Sequence, residues 1–137
     1  MLCGSLEFID AARRWRKMLG GGMRQVGVLA AAGMVALDTM IDRLADDHAN
    51  ARKLANALAN IHGLKLDPET VQTNIVIFQV DPSLATAQEL IGALDREGVK
   101  VGSPGKGLIR MVTHRQITGE DVDEALVRIS RAVKGLK

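Results

Sequence analysis

Three consecutive glycines, Gly20-Gly21-Gly22, stand between Arg16-Lys17 and Arg24. They limit what the first third of the chain can become, because no helix runs through three residues with so much backbone entropy to lose. One helical pattern must therefore end before them and another begin after them. Phe8, Ile9, Ala12, Trp15 and Leu19 recur at helical spacing upstream, with Ser5 as the capping residue and Glu7 in the first turn. Downstream, Gln25 to Leu37 is an uncharged, alanine-rich run containing Gly27 and Gly33. It reads as a deeply buried helix at a domain or subunit junction. The loop itself combines backbone N–H groups, a following helix N-terminus and flanking cations, an arrangement in which an anion can rest.

The remainder alternates between the two periodicities. Leu44, Ala51, Leu54, Leu58 and Ile61 form one helical stripe, with Asp46, Asp47, Arg52 and Lys53 mostly off it. Gly63 stops that helix. Leu64 to Leu66 and Asn74 to Val80 read as strands, with turns at Asp67-Pro68 and Asp81-Pro82. Thr86-Ala87-Gln88-Glu89 is a capping-box pattern opening a helix to Glu97, closed by Gly98. Val99 to Val101 and Leu108 to His114 read as strands around the loop from Gly102 to Gly107. Thr118-Gly119-Glu120-Asp121 opens a last helix with Val122, Leu126, Ile129 and Val133 on its core face. Met1-Leu2-Cys3-Gly4 reads as the tail of a strand. The order is two or three helices followed by β-β-α-β-β-α, an α/β chain of the α+β kind.

Bulk properties remove several function classes. A chain of 137 residues with 47% hydrophobic and 25% charged residues is long enough to bury a core. Aromatic residues make up 2%, too few for base-stacking platforms, and a net charge of +2 gives no polyanion-binding surface, so nucleic acid is not an indicated partner. The longest uncharged run falls short of the roughly 20 residues that span a bilayer, and Glu7 and Asp10 interrupt any leader pattern. Cys3 is the single cysteine, which suits a reducing, cytoplasmic setting and reads as a small buried hydrophobe.

The run Glu7-Phe8-Ile9-Asp10-Ala11-Ala12-Arg13-Arg14-Trp15-Arg16-Lys17, continuing through the glycines to Gln25, resembles the low-specificity L-threonine aldolases. So do Leu44-Ala45-Asp46-Asp47-His48-Ala49-Asn50-Ala51-Arg52 and Ile109-Arg110-Met111-Val112-Thr113-His114. The resemblance covers nearly the whole chain and corresponds to the C-terminal part of that family. It implies the aspartate-aminotransferase fold type (fold type I), pyridoxal 5′-phosphate (PLP) as cofactor, and cleavage of β-hydroxy-α-amino acids such as threonine to glycine and an aldehyde. It also implies a homo-oligomer, or association with the rest of such a protein. Residues 1–40 would be the end of the large PLP domain with its interdomain helices, and residues 41–137 the small domain. The resemblance places the lysine that bonds PLP upstream of Cys3-Gly4-Ser5, so these residues alone are expected not to catalyse the family reaction. The alternative is a non-catalytic remnant or subunit-interaction module.

On the residues alone, solvated cations beside a helix terminus account for Lys17 and Arg24. The resemblance implies that Arg24, and with it Lys17, binds the PLP phosphate across a subunit interface. Arg110 lies in an otherwise apolar strand, where a buried guanidinium needs an acceptor or an anion. The resemblance implies that it grips the substrate α-carboxylate, to which a guanidinium fork is matched. His114, two periods along the same strand, is better read as a hydrogen-bonded structural histidine. Lys106, between Gly105 and Gly107, is not taken as a PLP lysine. Asp46, Asp47 and His48 lack metal-ligand spacing and read as a solvated face, so no metal site is expected.

Overall fold

A computed structural model describes residues 2–136. The chain divides into two units, residues 1–41 and 42–137.

In the first unit, helix α1 (Leu6–Met18) starts as its sequence dictates, with the Ser5 hydroxyl accepting from the Phe8 N–H at 3.3 Å. Its end is a Schellman motif. Gly20 adopts φ +85°, its N–H bonds to the Lys17 carbonyl, and the Gly21 N–H bonds to the Arg16 carbonyl at 2.8 Å. Leu2 to Gly4 form no strand, and Met1 lies outside the described residues. Cys3 is exposed rather than buried. Helix α2 (Gly27–Thr39) is a second departure: none of its residues is buried, and Val28, Leu29, Met34 and Leu37 are largely exposed. Small residues permit close packing on several sides, but nothing within this unit packs there. Gly27 and Gly33 have open space where a Cβ would stand.

The second unit carries every buried hydrophobic residue among those described. It contains α3 (Leu44–Ala59), β1 (Leu64–Lys65), a 3₁₀ turn (Pro68–Thr70), β2 (Ile75–Val80), α4 (Ala87–Arg96), β3 (Gly102–Gly105), β4 (Leu108–Val112) and α5 (Gly119–Lys134). The strands form one antiparallel sheet in the order β1-β2-β4-β3. Strands β2 and β4 alternate strictly, as a half-buried sheet requires. Val76, Phe78, Val80, Ile109 and Met111 point into the core with Leu54, Leu58, Leu90, Leu94 and Ile129 of the helices. Burying each such side chain contributes about 1.5–3 kcal/mol.

The capping boxes at Thr86/Glu89 and Thr118/Asp121 both form, and they set the starts of α4 and α5. Gly98 closes α4 at φ +78°. The expected strand at Val99 to Val101 is absent. The strand instead lies at Gly102–Gly105, because a two-residue turn at Lys106-Gly107, both at positive φ, closes the hairpin with Gly105 opposite Leu108. Turn geometry fixes register from the loop outward.

Candidate functional site

The residues singled out by the sequence fall in both units. In the first, the loop after α1 is only in part the anion nest its glycines suggest. The Gly20 and Gly21 N–H groups are engaged in the helix cap, which leaves those of Gly22 and Met23 without a backbone partner among the described residues. The Lys17 side chain folds back over Gly22: a Cβ there would stand 2.5 Å from Lys17 Cδ and 3.3 Å from its Nζ. The missing side chain of Gly22 is therefore what lets the ammonium lie beside the loop. Arg24 is exposed in the following turn, and Gln25 takes φ +52°, a left-handed conformation uncommon for a non-glycine residue. One ammonium, one guanidinium and two available N–H groups are donors of the type that a phosphate monoester takes. By chemical type, these are donors that a PLP phosphate would require.

In the second unit, Arg110 sits at the middle of β4, opposite Ile77 on one side and Gly102 on the other. It is exposed, which corrects the expectation of a buried guanidinium. The strand is buried on one face only, and the alternation that sends Ile109 and Met111 inward sends Arg110 to the open face of the sheet. Ile75, Ile77 and Val112 surround it there, each more than 40% exposed. Arg110 has no ion pair or side-chain hydrogen bond among the described residues, so its fork is available to a planar anion. His114 is exposed, and its Nδ1 accepts the Gln116 N–H at 3.3 Å, a local structural bond. Lys106 forms part of the hairpin turn.

The sequence reads Asp46, Asp47 and His48 as a solvated face. Asp47 is instead buried, 4% exposed, and its carboxylate holds Arg43 through two bonds of 2.8 and 3.2 Å. That contact raises the Arg43 pKa above its ordinary value. The Thr113 hydroxyl donates to the Asp47 carbonyl at 2.7 Å. The Asn74 side-chain amide donates to the Thr113 carbonyl at 2.7 Å, and the Thr113 N–H donates to the Asn74 backbone carbonyl at 3.0 Å. Asn50 Nδ2 donates to the Ile117 carbonyl at 2.9 Å, and Lys53 Nζ to that of Gly119. One face of α3 thus laces down the chain that leaves β4. Helical arithmetic holds the signal for this, since Asp47 lies four residues before Ala51 and so on the apolar stripe. No group of acidic, histidine or cysteine residues suited to a metal ion occurs among the described residues.

Residues 1–81 match the family model described as Beta-eliminating lyase. The chain is 38% identical over 134 residues to low-specificity L-threonine aldolase 1 of Arabidopsis thaliana, covering 97% of this chain and 37% of that protein. It is 43% identical over 128 residues to the probable low-specificity L-threonine aldolase 2 of the same plant, covering 92% and 36%. It is 38% identical over 125 residues to the low specificity L-threonine aldolase of Escherichia coli O157:H7, covering 90% and 35%. The chain thus spans little more than a third of the length of these curated relatives. No helix among the described residues is long and apolar enough to cross a membrane. The family match extends over more than half the chain, and the chain belongs to the Beta-eliminating lyase family.

Proposed function

We propose that these residues serve as the C-terminal portion of a PLP-dependent, cytosolic aldolase that cleaves threonine or a related β-hydroxy-α-amino acid to glycine and an aldehyde. The observation that carries this reading is the similarity to low-specificity threonine aldolases over 90–97% of the chain. Residues 1–40 would belong to the end of the large domain and its interdomain helices, and residues 41–137 would form the small domain. PLP, when bound, withdraws electron density from the amino-acid α-carbon. The residues of this chain would supply positioning. Arg110 would hold the substrate α-carboxylate by its fork, and the open apolar sheet face around it would keep competing water away. Arg24 and Lys17 would neutralise the cofactor phosphate, in a homo-oligomer from across a subunit interface.

The test uses the full-length protein containing these residues. Arg110→Ala is expected to raise KM for threonine by at least tenfold, and Arg24→Ala to increase PLP loss on dialysis. Unchanged threonine KM and PLP retention would remove both assignments. The 137-residue polypeptide alone is expected to form no glycine from threonine, and a PLP adduct fixed by borohydride on one of its lysines would overturn that.

A second reading, a subunit-interaction module without catalysis of its own, is favoured by the exposed apolar side chains of α1 and α2. It requires self-association of the polypeptide in sedimentation. A compact monomer would exclude it.

A further inference from the structure

Gly102 has no backbone reason to be a glycine. It stands in strand β3, where a residue without a side chain weakens the ladder. Gly105 and Gly107 of the same hairpin take positive φ, which accounts for them, whereas Gly102 does not. The register shift after it falls between Gly102 and Gly105, so the extra residue is taken up at Ser103-Pro104 and asks for no left-handed residue at 102. Glycine within a strand otherwise marks a place that another group approaches closely.

The group that approaches is the Arg110 guanidinium. Gly102 is the cross-strand partner of Arg110 on β3, and Ile77 is its partner on β2. One neighbour is bulky and the other has no side chain. A Cβ at Gly102 would stand 4.0 Å from Arg110 Nη2 and 4.0 Å from the Arg110 carbonyl oxygen. Apart from its chain neighbours, no other atom among the described residues comes as near. The guanidinium therefore leans over β3, on the side of β4 opposite Ile77. A Cβ alone would make ordinary contact there, since non-bonded carbon atoms pack about 3.5–4.0 Å apart. A γ-carbon stands about 1.5 Å further out and competes with the guanidinium for the same room.

We propose, resting on the reading that Arg110 holds the substrate α-carboxylate, that Gly102 is the positioning residue for its guanidinium. The missing side chain gives the guanidinium its bed across β3 and so sets where the fork meets a carboxylate. A bidentate pair needs two N–H groups aligned with two oxygens, so turning the fork loses one bond while leaving the charge in place. Gly102 touches no reacting atom and acts through Arg110. A bulky residue at 102 pushes the fork toward Ile77. The fold survives this, because β3 is an edge strand and β-branched residues suit strands.

The test uses the full-length protein containing these residues, with calorimetric binding of glycine and threonine kinetics as readouts. Gly102→Val is expected to raise the glycine Kd and the threonine KM by about tenfold, with a smaller change in kcat. Gly102→Ala, whose Cβ makes only ordinary contact, is expected to raise them by less than about threefold. Gly102→Leu is expected to act as valine does, so the result does not hang on the folding of one variant. In an Arg110→Ala background, Gly102→Val is expected to add less than about twofold, because the group it displaces is gone. Unchanged glycine binding in the valine and leucine variants, with binding weakened in Arg110→Ala, would overturn the proposal and leave the Arg110 reading standing. Unchanged binding in Arg110→Ala would remove the Arg110 reading itself, and the proposal with it. An equal further loss from Gly102→Val in the Arg110→Ala background would also overturn the proposal, since the effect would then come from the strand and not from the fork.

Discussion

The hydroxyl of Thr113 donates a 2.7 Å hydrogen bond to the carbonyl of Asp47, joining the exit of β4 to the first turn of α3 across 66 residues of sequence. Both residues are buried, at 2% and 4% exposure. The Asp47 carbonyl also stands in the α3 ladder, so the bond supplies its second donor and gives the buried Thr113 hydroxyl its partner.

Thr113→Val should therefore destabilise the second unit by roughly 0.5–1.5 kcal/mol, while Thr113→Ser should retain most of its stability. Urea titration followed by circular dichroism checks this, with a shifted midpoint at unchanged slope as the expected signature. Asp47→Ala should be at least as damaging, because it strands a three-quarters-buried Arg43 guanidinium.

Two glycines at similar φ should respond differently to alanine. Gly63 has φ +92°, and a Cβ there would stand 2.5 Å from Leu84 Cδ2 and 2.9 Å from Leu84 Cβ. Gly107 has φ +75° with open space around it. Gly107→Ala should cost only the left-handed backbone penalty, about 1–2 kcal/mol. Gly63→Ala adds a clash near the backbone and should cost measurably more in the same titration.

Helix α2 offers the opposite case. Gly33, inside α2, meets nothing within 4 Å, so alanine there should raise helix content by about 0.8–1 kcal/mol of propensity, and alanine at Gly27, the first residue of the helix, should do less. Far-ultraviolet circular dichroism of the polypeptide reads this directly. A fall in helix content would show that another surface packs closely against these glycines.

Acid should destabilise the second unit through three carboxylates. Asp81 is held well below the usual carboxylate range by its bond to Lys65 and by the Ser83 N–H. Glu89 and Asp121 are lowered by accepting the N-cap N–H groups of Thr86 and Thr118. A depressed folded pKa contributes stability that is complete above the unfolded value of about 4 and is lost as pH falls through the folded value. Thermal melts should be flat above about pH 5 and fall below about pH 4. Glu89→Gln, which keeps a neutral capping box, should make that decline shallower, and an unchanged slope would remove Glu89 from the account.

Much of this structure was legible before any coordinates. Ser5, Thr86 and Thr118 announced three helix starts, because a cap is a contact within four residues. The alternation of β2 and β4 was likewise readable from Val76, Phe78, Ile109 and Met111. The burial of Arg110 was misjudged because its apolar neighbours were read as a strand covered on both faces. Period-two alternation already placed Arg110 opposite Ile109 and Met111, and only the one-sided helix layer showed which face was open. Asp47 was misjudged by its charge, although its helical position lay on the apolar stripe.

By itself the sequence determined the helix caps, the order of helices and strands after the glycines, and the family, since each rests on contacts or patterns a few residues long. Tertiary structure alone decided which face of the sheet is covered and that Asp47 and Thr113 meet across 66 residues. It also decided that Val99 to Val101 stay outside the sheet. Those outcomes depend on packing among elements far apart in the chain, where burial and hydrogen-bond satisfaction override local preference.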